Sequence, residues 1–363
     1  MAQAQRYQRQ ITLPEIGEIG QQKLNEAKVL VAGCGGLGSV AAVYLAASGI
    51  GHLHLVDFDV ISLSNLHRQV FYKTSAIGKA KAEVLAAHIN AVNPDIKVTF
   101  SKVALTKANV FSLIANFDII LDCTDSLPIK YLMNDACVLA DKILVYGSLY
   151  KFDGYVATFN APDGTENRTA NLRDAFPQMP KKYIPNCAEA GTLNAIVGLI
   201  GLMQANEVLK LVCGIGVPIQ NQLLIYNSLF NSQFKMKLEP SFDKEHIKLL
   251  FEKEPYADVS CNLQDETLLI SASALKLQLL NSRAQLCLIS VIENLNTPLP
   301  FEVDARIPLS KFKPSDLKID PLKSYILICQ RGITSYTATL RFKEVYKKVV
   351  ALSLKGGIEN YSN

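Results

Sequence analysis

Two α/β domains are the architecture that this 363-residue sequence predicts. Three observations carry the prediction. From Lys28 to about Ser148, strand-like apolar runs alternate with helix-length patterns, the signature of βαβ units and a parallel sheet. After Gly147 the pattern changes to FDGYVATFNAPDG, which reads as antiparallel strands, and a second alternating series begins at Leu268. The length also exceeds what one core usually organises, at roughly 150 residues per domain. The expected fold is therefore a Rossmann-like, mostly parallel sheet with an antiparallel extension over 1–240, a linker over 241–265, and a small α/β domain over 266–363.

The elements follow in order. KVLVAG precedes a helix at Leu37–Ser48; HLHLVD precedes a helix at Gly78–Val92; DIILDC precedes a helix at Leu127–Ala140; ILVYGS closes the parallel series. The Pro- and Lys-bearing stretch Asn160–Asn186 reads as a long crossing loop, of the kind that often serves a binding site. An apolar helix is expected at Ala188–Val212, then strands near Gln222–Tyr226 and Gln233–Leu238. The charged, Pro-bearing residues after Glu239 suit a linker. The second domain reads as a strand LLIS, a helix Ala272–Leu280, strands LCLIS and YILIC, a helix Ser335–Lys347, and the ending VVALSLKGGIENY.

Composition narrows the function. Hydrophobic residues at 49% and charged residues at 19% exclude a disordered or fibrous chain. A net charge of +4, spread evenly, gives no electrostatic case for a nucleic-acid or membrane partner. The polar start MAQAQRYQRQ lacks a signal-peptide core, and the apolar stretches are interrupted by glycines or polar residues, so a cytoplasmic location is expected. Eight cysteines contain no C-x-x-C pair, which points to thiols in a reducing compartment. Cys34, Cys123, Cys137, Cys213 and Cys287 fall in apolar patterns and are expected in the core.

The chemistry concentrates after the first strand. Gly33, Gly35, Gly36 and Gly38 form a G-x-G-x-x-G run opening a helix, where small residues permit a tight turn and free N–H groups face an anion. Asp57 ends the next strand, roughly twenty residues on, where a carboxylate can accept from ribose hydroxyls. A nicotinamide enzyme needs little more. Here VDFDVISLSNLHRQ adds Asp59, Ser64, Asn65, Leu66, His67 and Arg68 as candidate nucleotide contacts, and Lys81 follows; Asn65, Arg68 and Lys81 supply polar and cationic groups suited to a triphosphate. Arg9 in RYQRQ offers a further cation. DCTDS places Asp125 and Ser126 at the carboxyl end of a strand, where a carboxylate can hold Mg²⁺.

Through RYQRQ, GCGGLG, VDFD, SLSNLHRQ, IGKAKAE, DCTDS and NCAEAG, residues 6–238 resemble the MoeB/ThiF/HesA family, bacterial relatives of ubiquitin-activating enzymes. The resemblance implies ATP-dependent adenylation, in a homodimer, of the C-terminal Gly-Gly carboxylate of a ubiquitin-like sulfur-carrier protein. It assigns ribose binding to Asp57, phosphate binding to Asn65, Arg68 and Lys81, Mg²⁺ to Asp125, and to Arg9 a reach into the partner subunit's site. It also matches Cys187, in PNCAEAG, to the family cysteine proposed to link covalently or by persulfide to the carrier; with Asn186 as cap, Cys187 is expected near a helix N-terminus, which favours thiolate. The carriers of molybdopterin and thiamine synthesis end in the same tail, so the sequence leaves both open.

Many relatives carry two C-x-x-C pairs that bind zinc. This sequence has neither: TENRTAN, with Asn167 and Ala170, stands where the first would fall, and PSFDKEHI supplies no second, so no zinc is expected. In the second domain, Cys329 opens CQRGITS before a helix, a loop whose N–H groups can converge on sulfur, with Arg331 as a possible aid. Residues 266–363 resemble a rhodanese domain through this C-x-x-G-x-x-S loop and the GGIENY ending, although LCLISVIE lacks the usual aspartate–arginine pair. The resemblance implies sulfur transfer from a desulfurase or other donor; a docking role without chemistry, or adenylation of another peptide, remains the alternative.

Overall fold

The computed structural model describes residues 5–180, 191–256, 265–330 and 332–361. The chain divides into two compact units, Met1–Tyr256 and Ala257–Asn363.

The first unit is built on an eight-stranded sheet, in the order β3-β2-β1-β4-β5-β6-β7-β8. Its parallel part comprises β1 (Lys28–Ala32), β2 (His52–Val56), β3 (Lys97–Ser101), β4 (Ile119–Asp122) and β5 (Ile143–Tyr150). Its antiparallel part adds β6 (Asp153–Phe159), β7 (Gln222–Asn227) and β8 (Ser232–Lys237). Val29, Leu30, Val31 and Ala32 are all buried, as befits a parallel strand covered on both faces, which is why β1 reads as a continuous apolar run. Before the sheet come α1 (Gln8–Ile11) and α2 (Gly17–Glu26). The helices that follow strands are α3 (Gly36–Ala47), α4 (Lys81–Val92), α5 (Val110–Ile114) and α6 (Leu127–Leu139). Strand β3 and helix α5 were not resolved in the pattern, because KVTFS alternates only weakly in burial and α5 spans just over one turn.

Two expectations need correction. The apolar helix does not begin at Ala188: α8, after the short α7 (Leu172–Ala175), runs Asn194–Cys213, since Gly191 takes a left-handed φ of +79° and Leu193 is extended. Gly214, also left-handed, ends α8. Among the described residues α8 is the one helix long and apolar enough to cross a membrane, and half of it is buried against α3 and the sheet, as in a core helix. Nor is 241–265 a simple linker. Asp243 caps α9 (Lys244–Lys253), whose Ile247 is fully buried while its charged residues face outward, and α9 packs on α6. Tyr256 is buried and donates to Asp135. The charge-rich composition concealed a single apolar stripe.

The second unit holds a five-stranded parallel sheet in the order β11-β10-β12-β13-β9. Its strands are β9 (Leu269–Ile270), β10 (Leu286–Ser290), β11 (Ala305–Arg306), β12 (Ser324–Ile328) and β13 (Ala351–Leu354), joined with α10 (Ala272–Asn281), α11 (Ile333–Val345) and α12 (Gly357–Tyr361). Leu288, Ile326, Ile328 and Leu354 form its core.

Candidate functional sites

Strands β2, β1 and β4 are adjacent and parallel, so their carboxyl ends share one edge, and the chain reverses its direction of sheet growth between β1 and β4. Ligands of open α/β sheets bind at such a switch point. The glycine loop lies there under tight constraint. Gly33 has φ +91°, and a Cβ on it would stand 2.8 Å from the Cys123 carbonyl oxygen; a Cβ on Gly38 would stand 1.8 Å from the Gly33 oxygen. Helix α3 starts at Gly36 with no side-chain cap on its first N–H groups, which leaves them available to a phosphate.

Around this loop the sequence-predicted residues assemble. Asp57 accepts from the Cys34 N–H through Oδ2 and from the Asp59 N–H through Oδ1, both at 2.7 Å, so its carboxylate is fixed in orientation with lone pairs to spare for hydroxyls. Burial pushes the Asp57 carboxyl up, and the charge of Lys81 works against that. Lys81 is 5% exposed and its ammonium sits 2.8 Å from Asp59. Asp59 is half-exposed at the rim, so an incoming phosphate competes with it for a buried cation. Buried Asn65 accepts from the Ser62 N–H and closes the 3-10 turn Leu63–Asn65, a structural task in this chain. The Ser64 and Ser62 hydroxyls are 3.0 Å apart, and the Ser64 carbonyl accepts from Arg68; Leu66 packs against the core; His67 meets Arg68 at 2.9 Å. The Arg68 carbonyl lies 3.3 Å from where a Gly36 Cβ would be, and Tyr72 donates to the Cys34 carbonyl at 2.6 Å, so the whole segment rests against the glycine loop.

Asp125 is exposed at the end of β4 and joins no ion pair among the described residues, a disposition that fits one carboxylate ligand of a hydrated Mg²⁺. Ser126 Oγ is buried without a partner. So is Gln69 Oε1, whose residue is 4% exposed and whose amide nitrogen is the nearest group to a Cβ placed on Gly35. Gln69 was missed at the sequence level, although it ends the same SLSNLHRQ run. Arg9 stands exposed on α1, with no hydrogen bond or ion pair to these groups among the described residues.

A cavity of about 630 Å³ opens between α6, from Leu127 on, β5, β6 and the crossing segment. Its wall includes Tyr131, Tyr146, Tyr155 and Phe176. At its base Lys130 donates to Asp122 at 3.2 Å and to the Gly147 carbonyl at 2.6 Å and faces the Tyr146 ring. Burial opposes charge on Lys130, but Asp122 outweighs it and holds the ammonium protonated. The crossing segment is tied down at two places. Arg173 and Asp135, both fully buried, form a bidentate pair, and Arg173 lies over Tyr131, which donates to the carbonyls of Phe176 and Gln178. Asp174 accepts from the N–H groups of Asn171, Ser241 and Phe242 and from the Ser241 hydroxyl, while the Asn171 amide donates to the Phe242 carbonyl. This polar clip joins the crossing segment to the residues after β8. Asn167, by contrast, is exposed, and Ala170 is buried, its N–H donating to the Asn221 side chain. Among the described residues no group of three or more His, Cys, Asp or Glu side chains is placed to hold a metal.

In the second unit, Cys329 ends β12 and is 3% exposed. The Gly332 N–H points at its sulfur at 3.1 Å, and Ser335 Oγ lies 3.2 Å from it. Gly332 has φ +81°, and a Cβ there would meet the Gly356 nitrogen at 2.6 Å, so the loop closes against the GG turn after β13. Cys187, Arg331 and Asn186 lie outside the described residues. Cys34, Cys123, Cys137 and Cys213 are buried, as expected, and Cys287 is half-buried. Burial raises the thiol pKa of each, which fits inert thiols.

Residues 7–246 match the sequence profile of the ThiF family. The chain is 34% identical over 363 residues, covering 97% of itself and 91% of the relative, to a Mycobacterium tuberculosis protein named "Probable adenylyltransferase/sulfurtransferase MoeZ". It is 41% identical over 225 residues, 62% of this chain and 83% of the relative, to a Thermus thermophilus protein named "Sulfur carrier protein adenylyltransferase". Among solved structures, MccB of E. coli with MccA-N7isoASN superposes with a TM-score of 0.58 at 22% identity, over 66% of this chain and 72% of that one, a likeness of fold.

Proposed function

The chain belongs to the ThiF family, and from that premise we propose that its first unit adenylates the C-terminal carboxylate of a ubiquitin-like, Gly-Gly-ended sulfur carrier and that its second unit supplies sulfur to the activated carboxyl. The observation that supports the reading is a glycine loop whose Cys34 N–H donates to Asp57, opening an uncapped helix, in the same unit as a cavity whose lining begins at Leu127, two residues after Asp125 in sequence. One suits a nucleotide and the other an extended peptide tail.

The reaction needs no general base, because a C-terminal carboxylate is already ionised at neutral pH. Its oxygen attacks the α-phosphorus of ATP; the new O–P bond replaces the α–β bridging bond, and pyrophosphate leaves. Bringing two anions together makes the barrier mainly electrostatic, so the residues work by positioning and charge cancellation. The uncapped start of α3, Lys81 and Arg68 face the phosphates, and Asp57 orients the ribose. Asp125 is the residue to hold Mg²⁺, which supplies charge to the leaving phosphates when bound. We assign Arg9 to the site of a second copy in a homodimer. Structural zinc is not part of the proposal, since the Asn171–Asp174 clip joins the two segments by hydrogen bonds.

In the second unit, Cys329 thiolate attacks the sulfane sulfur of a donor such as a desulfurase persulfide. The new S–S bond replaces the donor's, and the donor leaves as a thiolate. The terminal sulfur then displaces AMP from the carrier to form an acyl disulfide on Cys329, and a reducing dithiol cleaves it, releasing the thiocarboxylate and the Cys329 thiolate as the dithiol closes to a disulfide. The molybdopterin-synthase carrier is the proposed partner. Pyrophosphate exchange measured with that carrier and with the thiamine-type carrier tests the first half: exchange is expected with a Gly-Gly-ended carrier and lost in Asp125→Ala. Exchange at the normal rate in Asp125→Ala would remove the metal role, and exchange with neither carrier would remove the substrate.

A further inference from the structure

Behind the Cys329 loop lies a chain of buried hydroxyls that the sulfur chemistry described above does not use. Ser335, in the first turns of α11, and Ser353, in the middle of β13, are both fully buried. Their hydroxyl oxygens are 2.8 Å apart, and Ser335 Oγ is 3.2 Å from Cys329 Sγ. Among the described residues, the other acceptor within reach of Ser353 is the Gly332 carbonyl, at 3.4 Å.

These distances give the chain a direction. The Ser353 proton has a well-placed acceptor in Ser335 Oγ and a long, weak one in Gly332 O. When Ser353 donates to Ser335, the proton of Ser335 is directed to the sulfur. The Gly332 N–H already donates to that sulfur. Two donors then converge on Cys329 Sγ, an arrangement that suits a thiolate or persulfide anion better than a thiol, which would have to donate. We infer that Ser353 is a positioning residue for the Cys329 anion, acting through Ser335; the inference rests on the sulfur-accepting role proposed for this loop. Without the Ser353 hydroxyl, Ser335 is free to turn its proton away and to accept from a Cys329 S–H, which favours the neutral, unreactive thiol. Because β13 carries Ser353 and α11 carries Ser335, the sheet itself sets the register of the relay.

The test uses the full chain and iodoacetamide at pH 7, with alkylation of the Cys329 peptide followed by mass spectrometry. Ser353→Ala is expected to slow alkylation roughly five-fold, the factor corresponding to one ordinary hydrogen bond. Ser353→Thr, which keeps the hydroxyl, should restore the rate, and Ser335→Ala should slow it at least as much as Ser353→Ala. Ser353→Cys keeps the shape with a weak donor and should be slow; it stands in if the alanine variant unfolds. A normal rate in both Ser353→Ala and Ser353→Cys beside a slow Ser335→Ala would show Ser335 acting alone and overturn the inference. A faster rate in Ser353→Ala would show the chain running in the opposite sense, with the same consequence. Failure of the wild-type chain to gain sulfur on Cys329 from thiosulfate or a desulfurase would instead remove the sulfur-accepting role, whatever the alkylation order.

Discussion

Replacing Arg173 by alanine tests how the crossing segment is held over the cavity. Arg173 and Asp135 are both fully buried, with Nη2–Oδ2 at 2.6 Å and Nε within 3.2 Å of both carboxylate oxygens. Burial opposes the guanidinium charge, yet the bonds to Asp135 outweigh it and hold the group protonated. Removing one member of such a pair strands the other charge without solvent, which costs about 3–5 kcal/mol. Loss of the contact with the Tyr131 face adds to this. Arg173→Ala is therefore expected to destabilise the first unit by about 4 kcal/mol, read from urea unfolding by circular dichroism, since the chain has no tryptophan. The same variant should raise KM for the carrier more than it lowers exchange at saturating carrier, because Leu172 and Phe176 line the cavity proposed for the carrier tail. A double replacement, Arg173→Met with Asp135→Leu, should recover most of the stability, as two apolar side chains leave no stranded charge. A single-variant cost under about 1 kcal/mol, or a double variant no better than the single, would refute the reasoning.

Three further outcomes follow from the same geometry. Gly38→Ala places a methyl group 1.8 Å from the Gly33 oxygen, a backbone clash that must push α3 off β1; ATP binding measured by calorimetry should fall at least ten-fold, and unchanged binding would mean that the loop does not hold phosphate. Asp174→Ala removes the acceptor shared by Ser241 and Phe242 and should cost about 1–2 kcal/mol by thermal unfolding, with Asp174→Asn intermediate. His52 and His54 are held below the usual histidine range, chiefly by burial, so the unfolded chain binds more protons than the folded one in the window under the ordinary histidine pKa. Their contribution to stability is complete above that pKa and is lost as pH falls; Tm should drop between pH 7 and 5, and the drop should shrink in His54→Gln.

Much of the proposed nucleotide site is legible in the sequence because its residues are local in sequence. The glycine run, Asp57, the SLSNLHRQ segment and Asp125 each follow a parallel strand, and the alternation of strands with crossover helices places the carboxyl ends of those strands on one edge. The start of α8 was misread because composition does not distinguish a helix from the extended residues before it; left-handed Gly191 and extended Leu193 make that distinction. Helix α9 was misread as a linker because one buried isoleucine carries its docking.

The sequence by itself determined the parallel sheet, the glycine loop and the thiol at the end of β12, since each depends on the order and spacing of nearby residues. Only the tertiary structure decided the partners of those residues: Lys81 with Asp59, Arg173 with Asp135, Asp174 with Ser241, Cys329 with Ser335, and Ser335 in turn with Ser353. Apart from the short loop between Cys329 and Ser335, these contacts join residues far apart in the chain. Periodicity fixes which face a side chain takes, whereas the group it meets there depends on how the sheet and helices close around it.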